Sequence, residues 1–335
     1  LQALITLTAF LLTLGVLVSF HEFGHFLAAR CCGVRVLRFA VGFGKPLFTY
    51  RTKNQTEWVL AAIPLGGYVK LLDGRDREQV ITPQERSSAF DSKKLWQRSL
   101  IVAAGPFANF FLAVILFAII YVSGVPQLPA VLEAPPETSL AAKLGLMQGD
   151  RVVGWQDLSD DELVSASGDF EVVRSWNSLR WNLLDALTAQ SGFALELQGP
   201  SGGRFIKAFP SQDLPKISPN SDPMLALGIR PTVSPASNWQ ELQLGPLDAV
   251  LYASYRVWLI TKVSVRLMAG FFTGNTSLKQ LGGPLSIADM AGKSVQVGWQ
   301  AFFAFLALIS ISIGLLNLLP FPMLDGGQLL YDAWE

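Results

Sequence analysis

The stretch from Leu14 to Arg30, LGVLVSFHEFGHFLAAR, places two histidines and a glutamate inside a run otherwise apolar enough to cross a membrane. Each of these groups is costly to bury in hydrocarbon, so a polar triad within a span reads as a functional site. His21 and His25 are the only histidines in the chain. At positions i and i+4 they share one face of a helix about one turn apart, where two imidazoles can bind one zinc ion. Glu22 projects close by and can serve as general base for a zinc-bound water. Gly24 gives another backbone room to approach. The plain alternative is a pair of buried histidines satisfied by backbone carbonyls.

The surrounding composition supports a membrane setting. Half of the 335 residues are hydrophobic and only 16% are charged, the balance of a membrane protein with a soluble part. Hydropathy predicts three spans, Ala3 to Ala29, Leu100 to Val125 and Trp299 to Leu319, each beyond the ~20 residues needed to cross a bilayer. The first is expected to be a retained helix rather than a cleaved signal peptide: its apolar run is too long, no basic residue precedes it, and no small-residue cleavage site ends it. Leu1 stands where an initiator Met is expected, so a residue is expected to precede it. Between the first two spans, residues 26–98 carry 13 Lys+Arg against 6 Asp+Glu, whereas residues 126–244 are net acidic. The positive-inside rule therefore assigns the 26–98 loop to the cytoplasm and the 126–244 region to the outside. The only cysteines, Cys31 and Cys32, are neighbours, which leaves no disulfide framework. They read as small hydrophobes at the end of the first helix, with metal ligation and lipidation as the alternatives.

The pattern divides the chain further. Residues 1–30 form the first transmembrane helix with the zinc motif, and 31–98 a β-rich cytoplasmic loop, its strands punctuated by Gly42, Gly44, Gly66 and Gly67 and turning at Lys53–Thr56. Residues 99–125 form the second span. The 126–232 stretch is soluble in composition, with strand-like runs RVVGW, FALELQG and RFIKAF. Within it, SLAAKLGLMQGDRVVGW reads as a short helix, a glycine turn and a strand, and resembles the corresponding stretch of PDZ domains, which bind extended peptides by strand addition. Residues 233–298 are expected to hold an amphipathic helix on the membrane surface and a linker, because Arg256, Lys262 and Arg266 fall on one side of a helical wheel. Residues 299–335 hold the third span, a broken segment and the start of a further helix.

A catalytic zinc site needs a third protein ligand and an open position. No third histidine exists, and Cys31 and Cys32 lie too near on the same helix to close the site easily, so a carboxylate from another segment is required. SIGLLNLLPFPMLDGGQLL supplies Asp325; alone, it reads equally well as a helix N-cap. Pro320 and Pro322 interrupt helical hydrogen bonding just before it, leaving carbonyls tolerable only beside protein or a water-filled cavity. Asn317 fits either a bond to those groups or a substrate backbone, or helix packing.

On HEFGH in the first span, VGFGKPLF and IPLGGYVK in the loop, AAGPFANF opening the second span, GGPLSIA before the third, and NLLPFPMLDGG, the sequence resembles the site-2 protease family of intramembrane zinc metalloproteases. The resemblance runs through nearly the whole chain. It implies zinc held by His21, His25 and Asp325, with Glu22 as catalytic base and Asn317 contacting the substrate strand. It also implies cleavage of a single-span membrane protein, typically an anti-sigma factor already trimmed outside. Close relatives carry two tandem PDZ domains where 126–244 has room for about one, so either the exported region is shortened here or residues are absent from it; they also continue into a further span after the D-G-G motif, whereas this sequence stops at Glu335 in mid-helix.

The expected fold is thus a multi-span α-helical membrane protein with a cytoplasmic β-rich loop and an exported PDZ-like α+β domain. The expected activity is a zinc-dependent intramembrane endopeptidase in the bacterial inner membrane, serving an envelope stress response. Its substrate must unwind into a strand, and the loop around Gly42, Phe43 and Gly44 offers an edge on which to pair it. Expected partners are that substrate, the lipid bilayer and a peptide C-terminus at the PDZ-like domain, with no nucleic acid. The rival readings are a non-enzymatic PDZ-type adaptor and a metal sensor or carrier; a sensor would need neither Glu22 beside the ligands nor a strand-pairing loop.

Overall fold

In the computed structural model, which describes residues 2–76, 81–158, 170–215, 224, 227–232, 239–272 and 283–334, the opening segment is one unbroken helix, α1 (Gln2–Cys31). It contains no proline, and its buried residues Ala9, Thr13, Leu17, His21 and Gly24 recur every three or four positions, so they form one stripe down the helix. The histidine motif therefore sits on the face that packs against protein. Thr13, also on this stripe, donates its hydroxyl to the Ala9 carbonyl at 2.8 Å and so buries no unpaired polar group.

After α1 come two long strands, β1 (Val36–Arg51) and β2 (Glu57–Leu71), which pair with each other. β1 bends at Gly42 and Gly44, whose φ values of 88° and 87° lie in the left-handed region open to glycine. The bend lets β2 flank the start of β1 twice: Arg38–Val41 pairs with Glu57–Leu60 and also with Gly67–Lys70. Among the described residues, Gly67–Leu71 pairs on one side only, with β1, and so forms an outer edge of the sheet. Both strands pack against α1. The polar connection expected from Asp73 onward is anchored more firmly than its composition suggests. Phe90 is buried with Ala29, Val34, Val36, Ile101 and Val102.

The second long apolar helix, α2 (Leu95–Ser123), contains Pro106. It starts five residues before the expected span and takes in Arg98, which is buried against an acidic partner. Gly24 of α1 meets the Ala104 carbonyl and the Ala108 methyl so closely that a side chain there would overlap the α2 backbone. Small residues thus bring the two helices together at the depth of the histidines.

The chain forms two compact units, Leu1–Ile120 with Gly282–Glu335, and Tyr121–Leu281. In the second, β3 (Val125–Gln127) is followed by a short helix, α3 (Leu140–Lys143), and the strands β4 (Arg151–Asp157) and β5 (Glu171–Val172). Then come α4 (Trp176–Ala189), β6 (Phe193–Gln198), β7 (Arg204–Phe209) and β8 (Gln240–Leu242). Strands β5-β4-β6-β7 form an antiparallel sheet in that order, and β3 pairs with β8. The three runs read as strands from sequence are β4, β6 and β7. The sequence reading did not identify α4, although Ser175 and Ser178 form a capping box at its start and Leu179, Leu183 and Leu187 bury at helical spacing. Trp155, Phe193 and Phe209 stack through this core with ring centroids 4.6 Å apart.

The 233–298 region contains two helices where one was expected. The first, α5 (Pro246–Phe272), packs on α4. The basic groups that suggested contact with lipid headgroups face protein: Lys262 binds the buried Asp185 at 2.7 Å and Arg266 pairs with the same carboxylate. Arg256 is hydrogen-bonded to Tyr121. Residues 273–282 of the expected linker, including the first glycine of GGPLSIA, lie outside the described residues. The second helix, α6 (Pro284–Val297), was expected as linker; Pro284 starts it and Gly298, at φ 140°, separates it from the next helix, α7 (Trp299–Asn317). α6 belongs to the first unit, packing on α1 and on α7. After Pro320 and Pro322 the chain ends in α8 (Asp325–Trp334). Of these helices, α1, α2 and α7 are long and apolar enough to cross a membrane.

Candidate metal centre

The motif histidines point from the buried stripe of α1 toward the start of α8. Their Nε2 atoms are 3.2 Å apart. Asp325 Oδ2 lies 3.1 Å from His21 Nε2 and 3.5 Å from His25 Nε2. A tetrahedral zinc site with ligand bonds of about 2.0–2.1 Å has edges of about 3.4 Å, so these three atoms are spaced as such a site requires. Among the described residues this is the one His, Cys, Asp and Glu cluster with metal-binding spacing. Asp325 Oδ2 is buried with no hydrogen-bond donor, which suits an oxygen directed at a cation.

The far sides of the imidazoles are held by α2. His25 Nδ1 lies 2.8 Å from the Ile101 carbonyl, an acceptor, so Nδ1 carries the proton and Nε2 is left with its lone pair. Pro106, which has no N–H, interrupts the helical ladder one turn further on. Asn109, fully buried, places its side-chain Nδ2 3.3 Å from His21 Nδ1. Exchanging the oxygen and nitrogen of this amide would let Oδ1, which otherwise has no partner, accept a proton from His21 Nδ1 and leave Nε2 for a metal. The Asn109 backbone carbonyl takes the Ser310 hydroxyl of α7 at 2.7 Å, which fixes its place on α2. Between these two supports lies Gly105, where a β-carbon would run into both imidazoles.

Glu22 shares a cavity of ≈ 440 Å³ with His21, His25 and Asp325. Its carboxylate is hydrogen-bonded to the Val69 backbone on the outer edge of β2, and Gly67 leaves room for its side chain. Tyr68, Lys70 and Leu71 of the same edge line the cavity, as does Gln328 of α8. The arrangement is two imidazoles and one carboxylate converging on a point, with a second carboxylate beside it. Such a donor set suits a divalent cation with one position open.

The other expected site residues divide in two. Asn317, the last residue of α7, places Nδ2 3.5 Å from His21 Nε2 and so belongs to the cluster. Gly42, Phe43 and Gly44 do not reach it. They form the corner of β1, where Phe43 lies on Gly66 and stacks on Tyr68 with centroids 6.4 Å apart, one ring removed from the cavity. Cys31 is exposed and Cys32 half-buried at the end of α1, outside the cluster. Sequence reasoning missed Asn109, Gly105 and the Ile101 carbonyl. A buried amide in a span with no charge was the available signal for the first.

Residues 9–335 match the profile of Peptidase family M50. A Rhizobium meliloti protein named as a zinc metalloprotease is 36% identical over 349 aligned positions, which take in 98% of this chain and 87% of the relative. Protease RseP of Yersinia pestis is 32% identical over 409 positions, covering 98% of this chain and 90% of its own length. Regulator of sigma-E protease RseP of Escherichia coli K12 is 31% identical over 407, again covering 98% and 90%. The last two alignments exceed the 335 residues of this chain by a wide margin, so those relatives carry internal residues without a counterpart here. With one profile spanning almost the whole sequence and relatives above 30% identity along nearly all of it, the chain belongs to peptidase family M50, the site-2 proteases.

Proposed function

We propose that His21, His25 and Asp325 hold the zinc ion of this metalloendopeptidase and that Glu22 is its general base. The observation that carries the assignment is the convergence of His21 Nε2, His25 Nε2 and Asp325 Oδ2, with both imidazoles held from behind by groups on α2. When bound, zinc supplies Lewis acidity to a scissile carbonyl and lowers the pKa of a water molecule. Glu22 takes a proton from the attacking water and delivers it to the leaving amine, its carboxylate steadied by the Val69 backbone. A sensor or adaptor has no use for that second carboxylate in the cavity.

The substrate is a single-span membrane protein of the anti-sigma type, cut within its membrane segment. A helix sequesters its peptide bonds in its own hydrogen bonds, so the segment must be drawn out as a strand. The Gly67–Leu71 edge, which lines the cavity, is the surface beside the metal centre on which that strand pairs. The corner at Gly42–Gly44 bends β1 so that this edge is exposed, and Asn317 bonds the backbone of the bound strand. The name of the Escherichia coli relative, a regulator of sigma-E protease, favours this substrate class, and the three long apolar helices fit a place in the bacterial inner membrane.

The charge balance of the loops puts β1 and β2 on the cytoplasmic side and the second unit in the periplasm. The sheet and helices of that unit are PDZ-like. A groove of ≈ 450 Å³ lined by Glu133, Trp176, Arg180, Ile229 and Arg230 sets two arginines against one carboxylate, a net positive site for a peptide C-terminus.

The test is cleavage of tagged single-span substrates by the detergent-solubilised protein, with Glu22→Gln and a zinc chelator in parallel. Cleavage abolished by both supports the reading. Intact substrates in the presence of stoichiometric zinc would move the sensor reading ahead.

A further inference from the structure

We infer that the buried ion pair between Arg98 of α2 and Asp332 of α8 positions Asp325 for the metal, an inference that rests on the zinc reading of the site. Helix α8 is short and amphipathic, and Leu330, Tyr331 and Trp334 are exposed. Its two buried residues are Gly326 and Asp332. An amphipathic helix normally seats itself with apolar side chains on its inner face. Here the deepest side chain is a carboxylate with no exposed surface.

The placement of that carboxylate is informative. Asp332 follows Asp325 by seven residues, two turns on, which puts both on the same face about 10 Å apart. Gly326, the neighbour of the proposed ligand, is pressed against the Leu318 and Leu319 carbonyls, so α8 is pinned there by backbone contact. The second fixed point is Asp332, whose Oδ1 lies 3.8 Å from Arg98 Nη2, both side chains being at least nine-tenths buried. Two points two turns apart define the axial rotation of the helix, and that rotation sets where the Asp325 carboxylate points.

The partner on α2 is equally placed. Arg98, Ile101, Gly105 and Asn109 recur at i, i+3, i+7 and i+11, a single face of α2. Ile101 holds His25, Asn109 holds His21, and Gly105 makes room for both rings. Arg98 extends the same face to the third ligand through Asp332. One face of α2 thereby references all three ligand groups, so a shift of α8 relative to the histidines is resisted by a charge pair in a site of low dielectric.

Zinc affinity of the full chain in detergent, measured by competition with a chromophoric chelator after removal of bound metal, tests the inference. Asp332→Asn keeps size and removes charge; it should weaken zinc binding at least tenfold, the usual effect of losing an outer support. A double variant, Arg98→Met with Asp332→Leu, guards against misfolding, because apolar replacement of a buried ion pair usually preserves or raises stability. It should fold, yet bind zinc at least threefold more weakly, since an apolar contact does not fix rotation. Wild-type affinity in either folded variant would overturn the inference and reduce the pair to ordinary packing. His21→Ala in the same assay separates the two levels of argument: if that variant binds zinc as the parent does, the metal assignment itself is wrong.

Discussion

Adding a single methyl group at Gly105 should remove the metal from this protein. A β-carbon there would stand 2.5 Å from His25 Cε1 and 2.8 Å from His21 Cε1, and would collide harder still with His25 Nε2. To regain ordinary contact at about 3.4 Å the rings must retreat by roughly 0.9 and 0.6 Å, whereas ligand positions tolerate only about 0.2 Å. Neither ring can retreat freely, because the Ile101 carbonyl and Asn109 hold them from behind. Gly105→Ala should therefore weaken zinc binding by at least about a hundredfold, close to 2.8 kcal/mol. Zinc content after gel filtration and chelator competition give the affinity; a helical far-ultraviolet spectrum and unchanged elution show that the fold survives. Gly15→Ala is the control: no atom lies within 4 Å of that position, and alanine favours the helix by about 1 kcal/mol. A Gly105→Ala protein with parental zinc affinity would refute the close-approach argument.

The other expectations are smaller in scope. Asn109→Leu should lower zinc affinity about tenfold to a hundredfold, whereas Asn109→Asp, which retains an acceptor for His21 Nδ1, should stay near the parent in the same titration. Asp185→Ala should destabilise the second unit by about 2 kcal/mol in thermal melts; a broken buried pair can cost 3–5 kcal/mol, but Lys262 and Arg266 are each about one-third exposed and regain water. Tyr255 has its phenol pKa raised, first by burial and then by donating its proton to Glu171 at 2.9 Å. Its contribution to stability is therefore present below the unfolded value near pH 10 and lost as pH rises from there through the folded value. Tyr255→Phe should flatten that part of an alkaline melting series, and an unchanged slope would count against the Glu171 bond.

How much of this was readable in advance depends on the range over which each signal acts. The three long apolar helices and the His21, Glu22 and His25 grouping are local properties, visible as hydropathy and as spacing. The place of Asp325 beside the histidines was reachable by elimination, because a zinc site built on two imidazoles requires a third ligand. The supports behind the histidines were not, since Ile101 contributes a backbone carbonyl and Gly105 contributes the absence of a side chain; neither has a composition signal. Asn109 did have one, an amide in an uncharged span. Helix α4 was lost for another reason: Leu179, Trp181 and Leu183 alternate with Arg180 and Asn182, a local period of two that resembles the neighbouring strands. The bases on α5 were read as facing lipid because the sequence does not show that Asp185 lies beside them.

The buried stripe on α1 makes insertions far less tolerable than hydropathy alone implies. Entry into a bilayer depends on the summed apolarity of the segment, to which a single added alanine between Leu17 and His21 makes almost no difference. The same alanine advances everything after it by about 100°, carrying His21 and Gly24 off the face that meets α2, and Glu22 away from β2, while leaving Ala9, Thr13 and Leu17 in place. Such a chain would still lodge in the membrane but hold no metal, because the first property is an average over the helix and the second is a matter of phase.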